Sequence, residues 1–492
     1  MKNITAADLV RLFSTQSVKK NASGEIADRA SLKKKRQRLE KDWNVDGLTG
    51  REKQAVKRAV SNVLRKGKTY NPEKSKVTDT DRLLLTREMR PSVVLDGLFP
   101  ERLSKGYWQK LPDRNESTED VQIDFEGFSF IENPQETLDG LRRIAAAEAR
   151  CLGVRLNFKD EYCLDVVPFM ILVECWKEMV PIFVGGEMDL PMQKVLAAIG
   201  VEYALNVRFG GVSDFEDVWA FPLSRRRKAG STMSKTPYVD VPTRDIATSR
   251  FCEAMDEWLG RPEIGLELSE SGREKLMNLL GEVLENAERH SDGIRRDGSW
   301  SVSGFLARRK RADGKGWSYR ASIGIVSVGD SFSESLQRAL KDQQDDIENY
   351  IRNVRGAGAK QSDETLRTLA AIQDGVTCVR EADRDNRGGF GLMDILDFAS
   401  TLGYTGDGSD KPEVTIISGS SCIQLKENYN RGVAREGEYG ARVQWFNNEN
   451  SAKLPPDPNY VFDLGVKLPG TAISIGFSLD PTYLSKIFDN DG

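Results

Sequence analysis

Gly281-Glu-Val-Leu-Glu-Asn-Ala-Glu-Arg-His290 is the stretch on which the reading of this chain turns. Leu276, Leu279, Leu280, Val283, Leu284 and Ala287 recur around it at three- and four-residue intervals, the spacing of an amphipathic helix. Glu282 and Asn286 stand four residues apart and therefore share a face. They are read as lying on the buried side, where a carboxylate and an amide carry a desolvation cost. A metal ion with a phosphate would offset that cost, so the pair is expected to serve a ligand.

Working outward, the composition is that of a globular chain with ample core. It has 492 residues, of which 39% are hydrophobic and 30% charged. No apolar run approaches the ~20 residues of a membrane helix. The N-terminus lacks the apolar stretch of a secretory signal. A cytoplasmic protein with no membrane partner is expected. The six cysteines form no C-x-x-C pair and are read as reduced, buried thiols. The single histidine, His290, excludes histidine-rich metal sites and a kinase that carries a separate phosphoacceptor histidine.

Charge is unevenly distributed. Residues 1–70 hold 18 lysines and arginines against 7 acidic residues, a surplus of +11 that leaves −15 for the remainder of a chain of net charge −4. Residues 1–75 are read as a basic helical arm, with two readings open: a solvated arm docked on the body or on another chain, or, over residues 1–70, a helix pair that binds DNA or RNA. Residues 76–118 are read as a linker with a helical piece around Asp79–Arg90. Over 119–210, strands at Val121–Phe125, Val154–Phe158 and 181–184 alternate with helices at about 135–150, 166–179 and 191–205, an α/β layer structure. Ser224-Arg-Arg-Arg-Lys-Ala-Gly-Ser-Thr232 marks 211–244 as a basic, flexible linker.

From about 245 to 492 four features follow in order. The Glu282/Asn286 helix comes first. A hairpin, Trp300–Arg309 and Trp317–Val328, then runs into Ser327-Val-Gly329-Asp-Ser331. A helical insertion over roughly 334–353 and 363–373 leads to the glycine-rich turn Gly388-Gly-Phe-Gly391. Strands at 414–419 and 422–425 precede a last one at 468–476, which holds Gly470-Thr471. Glycines at 388, 389 and 391 let backbone N–H groups approach phosphate oxygens ahead of a helix N-terminus.

In this order the four features resemble the GHKL superfamily, the Bergerat-fold ATP-binding domain. Glu282-x-x-x-Asn286 sits at its N-box, Ser327-x-Gly329-x-Ser331 at its D-x-G-x-G box, Gly388-Gly-Phe-Gly391 at its lid and Gly470-Thr471 at its terminal strand. The resemblance implies ATP and Mg2+ as cofactors, with Asn286 toward the metal, Glu282 toward an attacking water or hydroxyl, and Ser327, Gly329, Ser331, Gly388, Gly389, Gly391 and Thr471 around the nucleotide. Ser327 stands where the family has an aspartate that reads the adenine amino group, so phosphate binding is the firmer expectation. The region around Ile123-Asp-Phe-Glu-Gly-Phe-Ser-Phe-Ile131 resembles a STAS domain, although Glu132-Asn-Pro-Gln135 offers no hydroxyl where that family is phosphorylated. The expected fold class is α/β (α+β). The expected function is an ATP-binding, slowly hydrolysing regulator whose ordered lid switches a protein or nucleic-acid partner. Two alternatives stand beside it: an anti-sigma-like serine/threonine kinase, and a non-catalytic nucleic-acid scaffold with a degenerate nucleotide fold. A homo-oligomer is compatible with all three.

Overall fold

The computed structural model describes residues 2–4, 85–87, 92–103, 121–150, 154–180, 182–205, 207–226, 239–240, 243–290, 299–310, 316–374, 376, 393, 395–396, 411–426, 429, 434–436 and 441–480. It mixes helices with parallel and antiparallel sheets, an α/β (α+β) architecture. Strands β1 (Lys2–Ile4) and β2 (Leu85–Arg87) pair antiparallel. Helix α1 (Val93–Leu98) follows. The first layered body is built from β3 (Val121–Phe125), α2 (Pro134–Arg150), β4 (Val154–Phe158), α3 (Val167–Met179) and β5 (Phe183–Glu187). Its three strands are parallel in the order β3-β4-β5. In β3 the alternation of the sequence becomes structure, with Ile123 and Phe125 buried and Gln122 and Asp124 exposed. Helices α4 (Leu190–Ala198) and α5 (Val201–Leu205) complete it.

The second body is a six-stranded sheet whose own helices cover one face. In chain order it comprises β6 (Val218–Arg226), β7 (Val239–Asp240), α6 (Arg244–Leu259), α7 (Glu270–His290), β8 (Trp300–Lys310), β9 (Trp317–Val328), α8 (Phe332–Leu336), α9 (Lys341–Gly356), α10 (Asp363–Ala371), β10 (Glu413–Leu425) and β13 (Val461–Leu479), with a small pair, β11 (Ala434–Glu436) and β12 (Ala441–Val443), before the last strand. The strand order is β10-β13-β9-β8-β6-β7, antiparallel except between β6 and β7. Alternate residues serve opposite faces. Trp300, Val302, Ile323, Ile325, Ile473 and Ile475 join α6, α7, α9 and α10 in one core. Phe305, Val326, Ile417, Cys422 and Ala472 join α1, α2 and α3 in another.

The two bodies therefore share a core. Helix α2 packs on β3 and β13, and α3 on β9 and β13, so both lie between the two sheets. Small residues on the sheet permit the approach. A Cβ built at Gly324 would stand 2.5 Å from Val166 and 2.7 Å from Val167. The buried Asp165 joins the layers: its carboxylate accepts from the N–H of Phe130 (2.9 Å), the N–H of Val167 (3.0 Å) and the hydroxyl of Ser474 (2.9 Å). The Val166 N–H donates to Ser322 Oγ at 3.2 Å.

The expectations for the two linkers are corrected. The expected linker 211–244 contributes β6 and β7 to the large sheet. Arg225, read as part of a solvated joint, is buried against Glu174 at 2.7 Å, and Arg226 pairs with Glu288. The expected linker 76–118 carries α1, whose Leu95 and Leu98 are buried. Arg102 behind it is fully buried and paired with Glu148 and Asp96. Within the helical piece expected around Asp79–Arg90, residues 85–87 form a strand instead. The turn of the STAS-like segment is packed away, with Phe128, Ser129, Phe130 and Ile131 all buried. Ser129 Oγ accepts from the Ile131 and Glu132 N–H groups, so it serves the turn itself. The basic arm lies outside the described residues except for β1. Cys163, Cys175, Cys252 and Cys422 are free and buried, and burial pushes each thiol upward. Among the described residues no helix is long and apolar enough to cross a membrane.

Burial pushes the Asp165 carboxyl up to about 6, against the opposing pull of its three donors. The folded state thus holds this proton more tightly than the unfolded chain does. Its contribution to stability is complete below about pH 4 and is lost as pH rises through about 6, a change on the order of 3 kcal/mol. Urea unfolding of wild type and Asp165→Asn across that range is expected to show the stability difference shifting against the wild type with rising pH. A constant offset would contradict it.

Candidate functional site

Two strand ends expected to meet are neighbours in the sheet. Thr471 on β13 is the cross-strand partner of Ser327 on β9, and Ser418 on β10 is the partner of Thr471 on the other side. Trp300 on β8 extends the row beyond Ser327. In β9 and β13 these positions fall in phase with Ile325 and Ile473, so the three hydroxyls lie on the helix-covered face. Ser418 and Thr471 hydroxyls are 2.8 Å apart, and Ser418 Oγ also accepts from the Phe332 N–H at 2.8 Å. Ser327 and Thr471 are 9% and 7% exposed.

Glycine is required where the row meets the strand ends. Gly470 has φ +116°, and a Cβ there would stand 2.0 Å from the Ser327 carbonyl oxygen. Such a contact forces the strands apart. Gly419 has φ +62° in the irregular step between Ser418 and Ser421, and a Cβ there would stand 1.9 Å from Glu364 Oε1. Gly329 is buried, its N–H 3.4 Å from the Pro469 carbonyl oxygen.

Helix α7 lies against β8 and buries Leu276, Leu279, Leu280, Val283, Leu284 and Ala287. One flank of that stripe carries Glu285 and Glu288. Glu285 pairs with Arg244 at 2.8 Å, and Glu288 accepts from the Trp300 indole at 3.0 Å and pairs with Arg226 of β6. That flank faces α6 and β6. At about 100° per residue, Glu282 and Asn286 occupy the opposite flank. In the strand order β9 and β13 follow β8 on the side away from β6, the side on which this flank lies. Asn286 is half-buried, and Glu282 is exposed. This corrects the expectation of a buried pair: only Asn286 borders the apolar stripe. Among the described residues neither side chain makes a hydrogen bond or ion pair.

Ser331 does different work from that expected. Its hydroxyl accepts from the Glu334 N–H at 3.2 Å, while the Glu334 carboxylate accepts from the Ser331 N–H at 2.8 Å. This capping box starts α8 and leaves Ser331 fully buried. The Ser331-x-x-Glu334 spacing already carried that signal. Burial opposes ionisation of Glu334, yet Lys467 at 2.8 Å and the Ser331 N–H hold its carboxyl below the usual range. Asp330 pairs with Arg338 at 2.6 Å. Gly388, Gly389 and Gly391 lie outside the described residues, although Met393, Ile395 and Leu396 just beyond them are buried in the core of α7. Ser418 was missed at the sequence level. The Gly419-Ser-Ser421 interruption between two expected strands was its signal, since the structure makes them one strand with an irregular step.

Comparison with family models, with curated proteins and with solved structures found no match.

Two glycines near this site are expected to respond oppositely to the same change. Gly470→Ala should lower the unfolding free energy by several kcal/mol, on the order of 3 or more, because both backbone conformation and space oppose it. Gly281→Ala on α7, where a Cβ meets nothing within 4 Å, should raise stability by about 0.5–1 kcal/mol. Urea titration of the two variants checks both signs.

Proposed function

We propose that this protein binds Mg-ATP between α7 and the β9–β13 strand pair and uses it as a conformational switch. One observation carries the reading: Asn286, half-buried and without a side-chain partner among the described residues, stands on the flank of α7 that lies on the same side of β8 as the Ser327–Thr471–Ser418 hydroxyl row. An amide without a partner among the described residues and a row of strand hydroxyls suit a ligand with many acceptor oxygens and a polar ring.

Each part of the nucleotide has a candidate partner. The Asn286 carbonyl oxygen would ligate Mg2+ already held by phosphates. The Ser327 and Thr471 hydroxyls would meet the base. Ser327 is uncharged, so it would select adenine less strongly than the aspartate of the GHKL family, which this chain resembles. Bound Mg-ATP supplies an electrophilic terminal phosphorus and a large negative charge. Glu282, exposed beside Asn286, is free to orient a water molecule and take its proton. The switch reading adds that nucleotide binding alters a protein or nucleic-acid contact elsewhere on the chain.

Isothermal titration with Mg-ATP, together with phosphate release, tests this. Wild type should bind in the micromolar to millimolar range. Asn286→Ala should weaken Mg-ATP binding by about tenfold or more. Glu282→Ala should keep binding and lose most turnover, on the order of 100-fold. Absence of binding by wild type at millimolar nucleotide would refute the proposal.

A further inference from the structure

The three-stranded parallel sheet carries a cleft of its own, lined by residues of β4, α3, β5 and the loop after α5. This cleft of about 450 Å³ runs along β4 and β5, from Leu156 and Phe183 to Phe158 and Glu187. Its walls are Leu156 and Phe158 of β4, Leu172 and Trp176 of α3, Phe183 of β5, and Phe209 of the loop after α5. This volume falls in the ~300–1,000 Å³ range of small-molecule sites.

The walls are held in place without a ligand. The Phe209 N–H donates to Glu202 Oε1 at 3.1 Å, which ties the loop to α5. Gln193 Nε2 donates to the Met188 carbonyl oxygen at 2.8 Å, which ties down the segment after β5. The Trp176 indole N–H donates to the Leu205 carbonyl oxygen, and its ring packs edge-on to Phe183 with centroids 4.7 Å apart. A preformed apolar cleft avoids the ordering cost that a mobile one would impose.

Two charged residues also line the cleft, Glu187 and Arg208. Both are exposed, and among the described residues neither forms an ion pair. A monoanion would meet Arg208 and be repelled by Glu187. A monocation would do the reverse. A dipolar head satisfies both, and the aromatic walls favour a ring for the body. We propose that this cleft binds an aromatic α-amino acid, with its ring among Trp176, Phe183 and Phe209, its carboxylate toward Arg208 and its ammonium group toward Glu187.

Isothermal titration of the full chain with phenylalanine and tryptophan tests the proposal, with phenethylamine and phenylpropionate as single-charge comparisons. The proposal expects one of the two amino acids to bind with Kd below about 1 mM, and Arg208→Ala and Glu187→Ala each to weaken it by about tenfold. Both side chains are exposed, so the variants should keep the wild-type melting profile. No binding of either amino acid at millimolar concentration would overturn the proposal. So would unchanged affinity in both variants, or single-charge analogues that bind as tightly. None of these outcomes depends on whether the protein binds ATP.

Discussion

A single buried carboxylate stands where the layers of this protein meet. Asp165 is fully buried and accepts from Phe130 in the turn after β3, from Val167 at the start of α3 and from Ser474 on β13. Each contact belongs to a different element, so removing the acceptor would leave two buried N–H groups unsatisfied, at about 1–3 kcal/mol each. The junction works only because the sheet presents small residues there. Ser322, Gly324, Ser474 and Gly476 leave room for α3 and for Ile131, whose Cδ1 would be 2.8 Å from a Cβ at Gly476.

The same strands carry the candidate nucleotide site on their other face. Ser474 meets Asp165, while Thr471, three residues earlier and out of phase with it, points to the helix-covered side. The register that buries Asp165 against β13 is therefore also the register that aligns Thr471 with Ser327 and Ser418. A slip of one residue would exchange the two faces and destroy both arrangements at once. Gly470 protects this register at the strand end, where its close approach to the Ser327 carbonyl leaves no space for a side chain.

The local pattern was legible in the sequence wherever period and burial agree. Strands Val121–Phe125, Val154–Phe158 and Trp317–Val328 and the amphipathic α7 follow directly from their spacing. Long-range charge pairing hid the rest. Arg225 and Arg226 look like a solvated joint until Glu174 and Glu288 arrive from distant positions. Arg102 looks like linker until Glu148 covers it. The exposure of Glu282 was within reach of a helical projection, which puts Asn286 at the border of the apolar stripe and Glu282 one step further out. Gly388, Gly389 and Gly391 lie outside the described residues.

Photolabelling with an azido-ATP in the presence of Mg2+, followed by peptide mapping, addresses the central claim directly because it reports location. Label confined to peptides containing Ser327, Thr471 or the α7 segment around Asn286, and removed by excess Mg-ATP, is the result this account predicts. Label on the β3–β5 body alone, or label that Mg-ATP does not displace, would contradict it.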